Sequence, residues 1–437
     1  MMAETAEPGC SIPRRFLVEG AGPLKSIAVM MYCHFSVALL CLNVAFDLFV
    51  FGVPAFILRK LGLLSDKLYL TITTAIINWT TPTVFFMPMV VSGSKLYCND
   101  VSLLEECKSK NSLLLSNHGS RIDWMVGMFV GYSRQLASKS CERIRVGFVC
   151  EALIQFMPLI GWYRKIVAND IFVSRSFNRD APTIESNIEE FHKADERRML
   201  FLSPEGVVVD FGQKDVQYIY ACRKFCIDQG YQPFDYILTP RYKGSACLLQ
   251  QVQKCAGPVL SVCIAYVRDG ELLNCRLLSP DRVVADIYTM NQGVGGSPVD
   301  IYIHLKRIDV TQARNDAKKF MMENYNEKNQ LMMEWERQTL AGTNTSQAWM
   351  SQYTAINCNW LECVAYQLGH AALILFVAYN ISGGLHALLQ ISTSLFCLVA
   401  ICYTIGWVMG NSFESVPFET GIKSVVSAFQ MKKSKGV

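Results

Sequence analysis

Ser112-Leu113-Leu114-Leu115-Ser116-Asn117-His118-Gly119-Ser120-Arg121-Ile122-Asp123 is a short apolar run that stops at a polar, glycine-containing turn. A continuous apolar run of this length fits a strand buried on both faces, the pattern of a parallel sheet. Gly119 turns the chain, and Ser120-Arg121-Ile122-Asp123 has the serine-and-acid spacing of a helix N-terminal capping box. The segment therefore predicts a strand, a turn and the start of a helix. In a continuous helix, the spacing of His118 and Asp123 would put their side chains on different faces, so the turn must come first. A histidine just ahead of a helix, with a carboxylate in the first turn, accepts a proton on one ring nitrogen while the acid holds the other. The spacing alone equally suits a loop histidine beside an aspartate that merely caps its helix.

The other five of the six histidines have plainer settings. His34, His370 and His386 lie in or beside apolar blocks, His192 in a patterned helix and His304 in an alternating strand. Only His118 sits at a strand-to-turn junction beside a polar cluster. Outward from it, residues 94–310 read as an α/β domain. Strand-length runs at Ser112–Leu115, Arg198–Leu202, Tyr236–Leu238 and Val259–Val267 are bounded by turn residues. Between them lie helical patterns such as Asp180–Glu196, where Ile184, Ile188 and Phe191 recur at helical spacing. The alternation implies a largely parallel sheet covered on both faces, with ligands beyond the carboxyl ends of its strands. Asp300–Arg307 alternates like an edge strand. Thr311–Gln338, charged and rich in Met, reads as a surface helix within a helical linker over 311–360.

The flanks are apolar. The N-terminal tail, 1–25, precedes membrane anchor segments over 26–91. The block Ser26–Leu58 is interrupted by one acid, Asp47, and holds a full span of about 20 residues plus a remainder, read as an uncleaved signal anchor. Leu70–Val91, with Asn78, Pro82 and Pro88, fits either a kinked span or a segment that dips in and returns. Val364–Ile381 and Leu388–Met409, separated by Ser382-Gly383-Gly384, predict a C-terminal transmembrane hairpin over 361–410, followed by a basic tail over 411–437. A hairpin returns the chain to its starting side, so domain and tail share a compartment.

Composition agrees: 51% of residues are hydrophobic and the mean hydropathy is +0.22, high for a soluble globular protein. A net charge of +4 is too mild to argue for nucleic acid and suits an anionic bilayer surface. The 17 cysteines lack the paired short spacings of a zinc site or a small disulfide scaffold, and read as buried thiols in a reducing compartment with no metal. There is no Gly-x-Ser-x-Gly elbow, Walker loop, dinucleotide fingerprint or His-Glu-x-x-His, which argues against a covalent serine mechanism.

The residues Asn117 to Asp123 resemble the Asn-His-four residues-Asp motif of glycerolipid acyltransferases, and the following Trp124-Met125 resembles the lysocardiolipin acyltransferase branch. Further blocks follow in the family's order. Gly161-Trp162 with Ile171-Phe172-Val173-Ser174-Arg175 resembles the second. Ser203-Pro204-Glu205-Gly206-Val207 resembles the third, with Ser203 and Val207 in place of Phe and Thr. Leu238-Thr239-Pro240-Arg241-Tyr242-Lys243-Gly244 resembles a Pro-Arg-Thr-x-Gly segment with Tyr242 for Thr, and Val259–Ala265 resembles the fourth block. The resemblance runs from about Ser94 to Met333 and includes the helix MENYNEKNQLM.

This resemblance implies an α/β fold: a largely parallel mixed sheet covered by helices, in a glycerolipid acyltransferase-like domain with N-terminal membrane segments and a C-terminal transmembrane helical hairpin. It implies His118 and Asp123 as the catalytic pair. The substrate-binding residues would be Asn117, Arg121, Arg175, Glu205, Gly206, Arg241 and Lys243, with Arg175 on the acceptor's phosphate. Acyl-CoA is the implied co-substrate and a lysophospholipid in the lipid bilayer the acceptor, with no metal or other cofactor and no nucleic acid. The implied setting is the endoplasmic reticulum membrane, multi-pass, with the domain facing the cytosol. Lys433-Ser434-Lys435-Gly436-Val437 resembles a Lys-x-Lys-x-x retrieval signal, and the sequon Asn344-Thr345-Ser346 is expected to stay unmodified. The departures at Ser203, Val207 and Tyr242 leave the acceptor open. They also fit a rival reading, a catalytically weak homologue that binds lipid or acts as a membrane scaffold.

Overall fold

The structure, a computed structural model, describes residues 23–132, 144–174, 176–193, 197–209, 213–253, 257–279, 281–341, 349–356 and 359–382. The chain divides into two units. The first, Met1–Val209 with Ile219–His370, carries every described strand. The described residues of the second, Asp210–Tyr218 with Ala371–Val437, are the start of helix Gln213–Asp228 and the end of helix Trp360–Ser382.

The described strands are β1 (Leu96–Cys98), β2 (Ser112–Ser116), β3 (Arg145–Glu151), β4 (Ile171–Val173), β5 (Arg198–Leu202), β6 (Val259–Arg268), β7 (Glu271–Leu272), β8 (Asp300–Arg307) and β9 (Thr354–Ile356). They form one sheet in the order β4-β3-β5-β2-β6-β8-β1-β9, with β7 paired to β6. The run from β4 to β6 is parallel, whereas β6 with β8, β1 with β9 and β6 with β7 are antiparallel. This is the largely parallel mixed sheet expected. Side chains alternate across it with the strand period of two. Leu114 enters a core shared with Met125, Phe129 and Phe201, while Leu113 and Leu115 face Ile184, Ile188 and Leu248 on the other side. Helices on both faces explain why Leu113–Leu115 of β2 are apolar without alternation.

Three local expectations are corrected. Asp300–Arg307 is not an edge strand: β8 lies between β6 and β1, which, with β9 beyond, occupy both its sides. Tyr236–Leu238 is not a strand, because side chains satisfy its backbone. Asn329 Oδ1 accepts the Asp235 and Tyr236 N–H groups at 2.9 and 3.0 Å, and Glu205 Oε2 accepts that of Leu238 at 3.1 Å. The Met-rich segment is not simply a surface helix. Helix Ala317–Leu340 buries Met321, Tyr325, Lys328, Met332 and Trp335, positions that recur every three to four residues along one stripe.

Among the described residues, three helices are long and apolar enough to cross a membrane: Leu24–Lys60, Asp66–Val91 and Trp360–Asn380. The second, open in the sequence between a kinked span and a returning segment, is one helix that passes through Pro82 and finishes in a π-helical segment, Phe86–Val91. The acid interrupting the first has a partner. Asp47 Oδ2 accepts the Thr80 hydroxyl at 2.6 Å and meets His370 Nε2 at 2.9 Å, with both Asp47 and His370 fully buried. Ionisable groups among apolar helices are held by such pairing. The first arm of the expected hairpin falls in helix Trp360–Ser382. Its turn, its second arm, the basic tail and Asn344 lie outside the described residues. All described cysteines are free thiols.

Candidate active site

Strands β2 and β5 are adjacent and parallel, so the turns after them leave the same edge of the sheet. Strand β6 borders β2 on the other side and outruns it. The last paired residues are Ser116 and Val262, yet β6 continues to Arg268. Side chains from the turn use this overhang. Asn117 Nδ2 donates to the Ile264 carbonyl at 3.1 Å and Asn117 Oδ1 accepts the Ile264 N–H at 2.7 Å, which prolongs the ladder by one side chain. Gly119 then passes so close to Asn274 that an added Cβ would lie 2.8 Å from its Nδ2. The Ser120 hydroxyl donates to the Ala285 carbonyl at 2.7 Å and accepts the Ile122 N–H at 3.1 Å.

Asp123 opens helix Asp123–Tyr132 and is 2% exposed. Its Oδ2 accepts the Ser120 N–H at 3.2 Å, the backward half of a capping box. The same oxygen lies 2.8 Å from His118 Nδ1. Cap and histidine partner, alternatives in the sequence, are thus one residue in the fold. An ionised carboxylate only accepts hydrogen bonds, so Nδ1 carries the proton and Nε2 is the ring's basic nitrogen. The ring stays 28% exposed. Burial pulls the imidazole pKa down, but the hydrogen bond to Asp123, its charge and that of Glu205 outweigh this and raise it above 6.5.

Glu205 follows β5 and is 1% exposed. Its Oε1 accepts the His118 N–H at 2.8 Å, while Oε2 accepts that of Leu238. Burial pushes its carboxyl up to about 7, against the opposing pull of those amides, His118 and Lys328. Lys328, pushed down by burial to about 8, donates to the Leu115 carbonyl at 2.7 Å, and the Tyr325 hydroxyl donates to that of Ser116 at 2.9 Å. Helix Ala317–Leu340 therefore braces the end of β2 from below. Glu205→Gln replaces one acceptor oxygen with an NH2 group, setting a donor against a buried backbone N–H. An unsatisfied buried group costs about 1–3 kcal/mol, so this variant is expected to melt several degrees lower in a thermal-shift measurement at pH 8. An unchanged melting temperature would contradict the clamp.

The expected binding residues fall into distinct settings. Asn117 is fully buried and occupied by Ile264, and both Glu205 oxygens hold backbone amides, so these two shape the turn from within. Gly206 adopts φ +71°, a left-handed conformation that favours glycine. The Arg241 guanidinium lies against it, with Nε 3.4 Å from where a Cβ would stand, and the Arg241 N–H donates to the Pro204 carbonyl at 2.8 Å. Arg241 is thereby brought to the Glu205-Gly206 turn. Arg121 and Lys243 are exposed. Arg175 lies outside the described residues.

Sequence reasoning missed Tyr266, Asn274, Tyr325 and Lys328. Lys328 carried a readable signal, a charge on the apolar stripe of Met321, Tyr325, Met332 and Trp335. Tyr266 carried none, being one aromatic in an apolar strand.

Residues 99–265 match the family described as Acyltransferase. The chain is 25% identical over 248 residues to a probable 1-acyl-sn-glycerol-3-phosphate acyltransferase 5 of Arabidopsis thaliana, covering 56% of each chain. It is 23% identical over 227 residues to lysophosphatidylinositol acyltransferase 10 of Caenorhabditis elegans, covering 51% of this chain and 52% of that one. With lysocardiolipin acyltransferase 1 of Danio rerio the identity is 27% over 190 residues, covering 43% and 44%. The chain spans about half the length of these curated relatives. No solved structure matches it. The matched segment contains the strand-to-helix turn with His118 and Asp123 and the Glu205-Gly206 turn beside it, and it is in this segment that the chain is similar to the Acyltransferase family and to these glycerolipid acyltransferases.

Proposed function

We propose that this protein transfers a fatty acyl group from acyl-CoA to the free hydroxyl of a lysophospholipid, with lysophosphatidic acid, lysophosphatidylinositol or a lysocardiolipin-like lipid as acceptor. The observation that carries the reading is the His118–Asp123 pair, whose geometry leaves Nε2 basic on a partly exposed ring. In this reaction the acceptor hydroxyl gives its proton to Nε2 as its oxygen attacks the thioester carbonyl carbon. Asp123 stabilises the imidazolium. The tetrahedral intermediate collapses by breaking the C–S bond, and the proton passes from His118 to the departing coenzyme A thiolate. General-base assistance of this kind contributes roughly two to four orders of magnitude in rate.

An apolar pocket beside the helix that Asp123 opens supports a lipid substrate. It is lined by Trp124 and Met128, one and five residues beyond Asp123, by Phe148 of β3, and by Leu40, Val44 and Val84 of the long apolar helices. Its walls suit an acyl chain. Arg241, Lys243 and Arg175 are the proposed contacts for phosphate groups, and Arg121 is proposed to meet substrate beside the turn. We place the protein in the endoplasmic reticulum membrane with this domain facing the cytosol, where acyl-CoA is made.

The test is to incubate membranes containing the full chain with labelled oleoyl-CoA and a panel of lysophospholipids. Transfer to at least one acceptor is expected, and transfer to none sinks the reading in favour of a lipid-binding homologue. The pH profile adds a check on the base. Only neutral His118 accepts a proton, and its pKa is raised. The rate should therefore fall as pH drops, with a midpoint above 6.5. An acid limb centred at or below 6.5 would assign the base elsewhere.

A further inference from the structure

Strand β6 delivers one more group to the pair. The Tyr266 side chain is fully buried, and its hydroxyl donates to Asp123 Oδ1 at 2.5 Å, the oxygen opposite the one that holds His118. The Tyr266 main chain is itself fixed, its N–H donating to Asn274 Oδ1 at 2.9 Å, while Asn274 Nδ2 donates to the Ile264 carbonyl at 2.9 Å. Asp123 therefore sits between two donors, a phenol on one oxygen and an imidazole on the other, with the Ser120 amide as a third. We propose that Tyr266 is a positioning residue that sets the basicity of His118 through Asp123, making the working unit a His118–Asp123–Tyr266 relay of hydrogen bonds. The inference rests on the acyl-transfer reading above for its consequence in catalysis, but not for its effect on the ring.

The physical argument is one of shared charge. A carboxylate that accepts a strong hydrogen bond on one oxygen carries less charge on the other. Burial and the adjacent Asp123 charge keep the phenol protonated, so it acts as a donor throughout the working range. Removing that donor concentrates charge on Oδ2, strengthens its hold on the imidazolium and raises the proton affinity of the pair as a whole. Other ionisable groups surround the pair: the Glu205 charge from the β5 turn acts on His118 and Tyr325 from helix Ala317–Leu340 interacts with Asp123, whereas Lys328 of that helix and Cys263 of β6 interact with Glu205. None of these four accounts for a hydrogen bond to Oδ1, so the substitution at 266 isolates the relay.

Two variants with opposite expected signs test it. Tyr266→Phe deletes the donor, and its acid limb and the His118 ring titration should both move up by about half a unit to one unit. Replacing Tyr266 with 3-fluorotyrosine makes the phenol a stronger donor in nearly the same shape and should move both down. The ring titration is followed by NMR of the full-length protein carrying 15N-histidine in nanodiscs, with His118→Ala assigning the resonance. If wild type transfers no acyl group, the functional reading fails while the ring titration still tests the relay. Shifts of opposite sign in the two variants support the relay. An unmoved His118 titration in both, or shifts of the same sign, overturns it, whatever happens to overall activity. Should Tyr266→Phe fail to fold, the downward shift expected of 3-fluorotyrosine decides alone.

Discussion

Replacing His118 with alanine is expected to lower acyl transfer by about two to four orders of magnitude, the span that general-base assistance supplies. The loss should fall on kcat, because in the proposed reaction the imidazole acts on the proton that moves in the transition state. Little stability should be lost. The ring is 28% exposed, and what fixes the turn is the His118 backbone N–H on Glu205, which alanine retains. The measurement is turnover of labelled oleoyl-CoA beside a thermal melt of the same preparation. Transfer within tenfold of wild type, in a protein that melts normally, would remove His118 from the chemistry.

Asp123→Asn is expected to cost at least about a hundredfold for a different reason. The carboxylate accepts from the Ser120 amide, the Tyr266 hydroxyl and the His118 ring. An asparagine has one oxygen for this and must turn its NH2 group toward one side. Facing His118, it donates to Nδ1 and moves the ring proton to Nε2, where it blocks acceptance from substrate. Facing Tyr266, it keeps the ring orientation but removes the charge that stabilises the imidazolium. The equivalent change in a serine-protease triad costs about four orders of magnitude. With Asp123 neutral, the interaction that most raises the His118 pKa is gone, so any residual acid limb should move to lower pH. That direction is opposite to the one expected for Tyr266→Phe. The double variant His118→Ala with Asp123→Asn should lose little beyond His118→Ala alone, since in the proposed reaction both residues act on one proton. Additive losses in a measured cycle would show that Asp123 has a second, independent role.

The Asp123→Asn and Glu205→Gln variants distinguish two functions that carboxylates perform in this turn. Asp123 acts on the ring and should change rate and pH profile. Glu205 acts on the backbone beneath it and should change stability first. Their different neighbours explain this: Asp123 meets an imidazole, whereas both oxygens of Glu205 are taken by main-chain amides.

The strand, turn and helix around His118 were legible because their signals are short-range. Three leucines, a glycine and a serine-acid spacing act within a dozen residues, and the pair they bring together needs only that turn. The parallel layering was legible from the alternation of strands and helices, and long apolar blocks marked the candidate spans because apolar length is a local property. The sequence also held Asp47 and His370 in plain view, but as isolated polar residues in separate apolar runs. Only the packing of helices 323 residues apart in the chain turned them into a buried pair.

The remaining features belong to the tertiary structure. Tyr266 reaches Asp123 because β6 outruns β2 by several residues in one particular register, and Glu205 reaches both His118 and Leu238 because β5 lies beside β2. The same long-range placement put β8 inside the sheet instead of at its edge, and let Asn329 and Glu205 satisfy backbone amides that looked like those of a strand at Tyr236–Leu238. Local residue patterns set which segments become strands, turns and helices, since those choices depend on neighbours a few positions away. Sheet order and register depend on burying apolar faces contributed by the whole chain. So the sequence by itself named the histidine and its acid, and the fold decided what stands behind them.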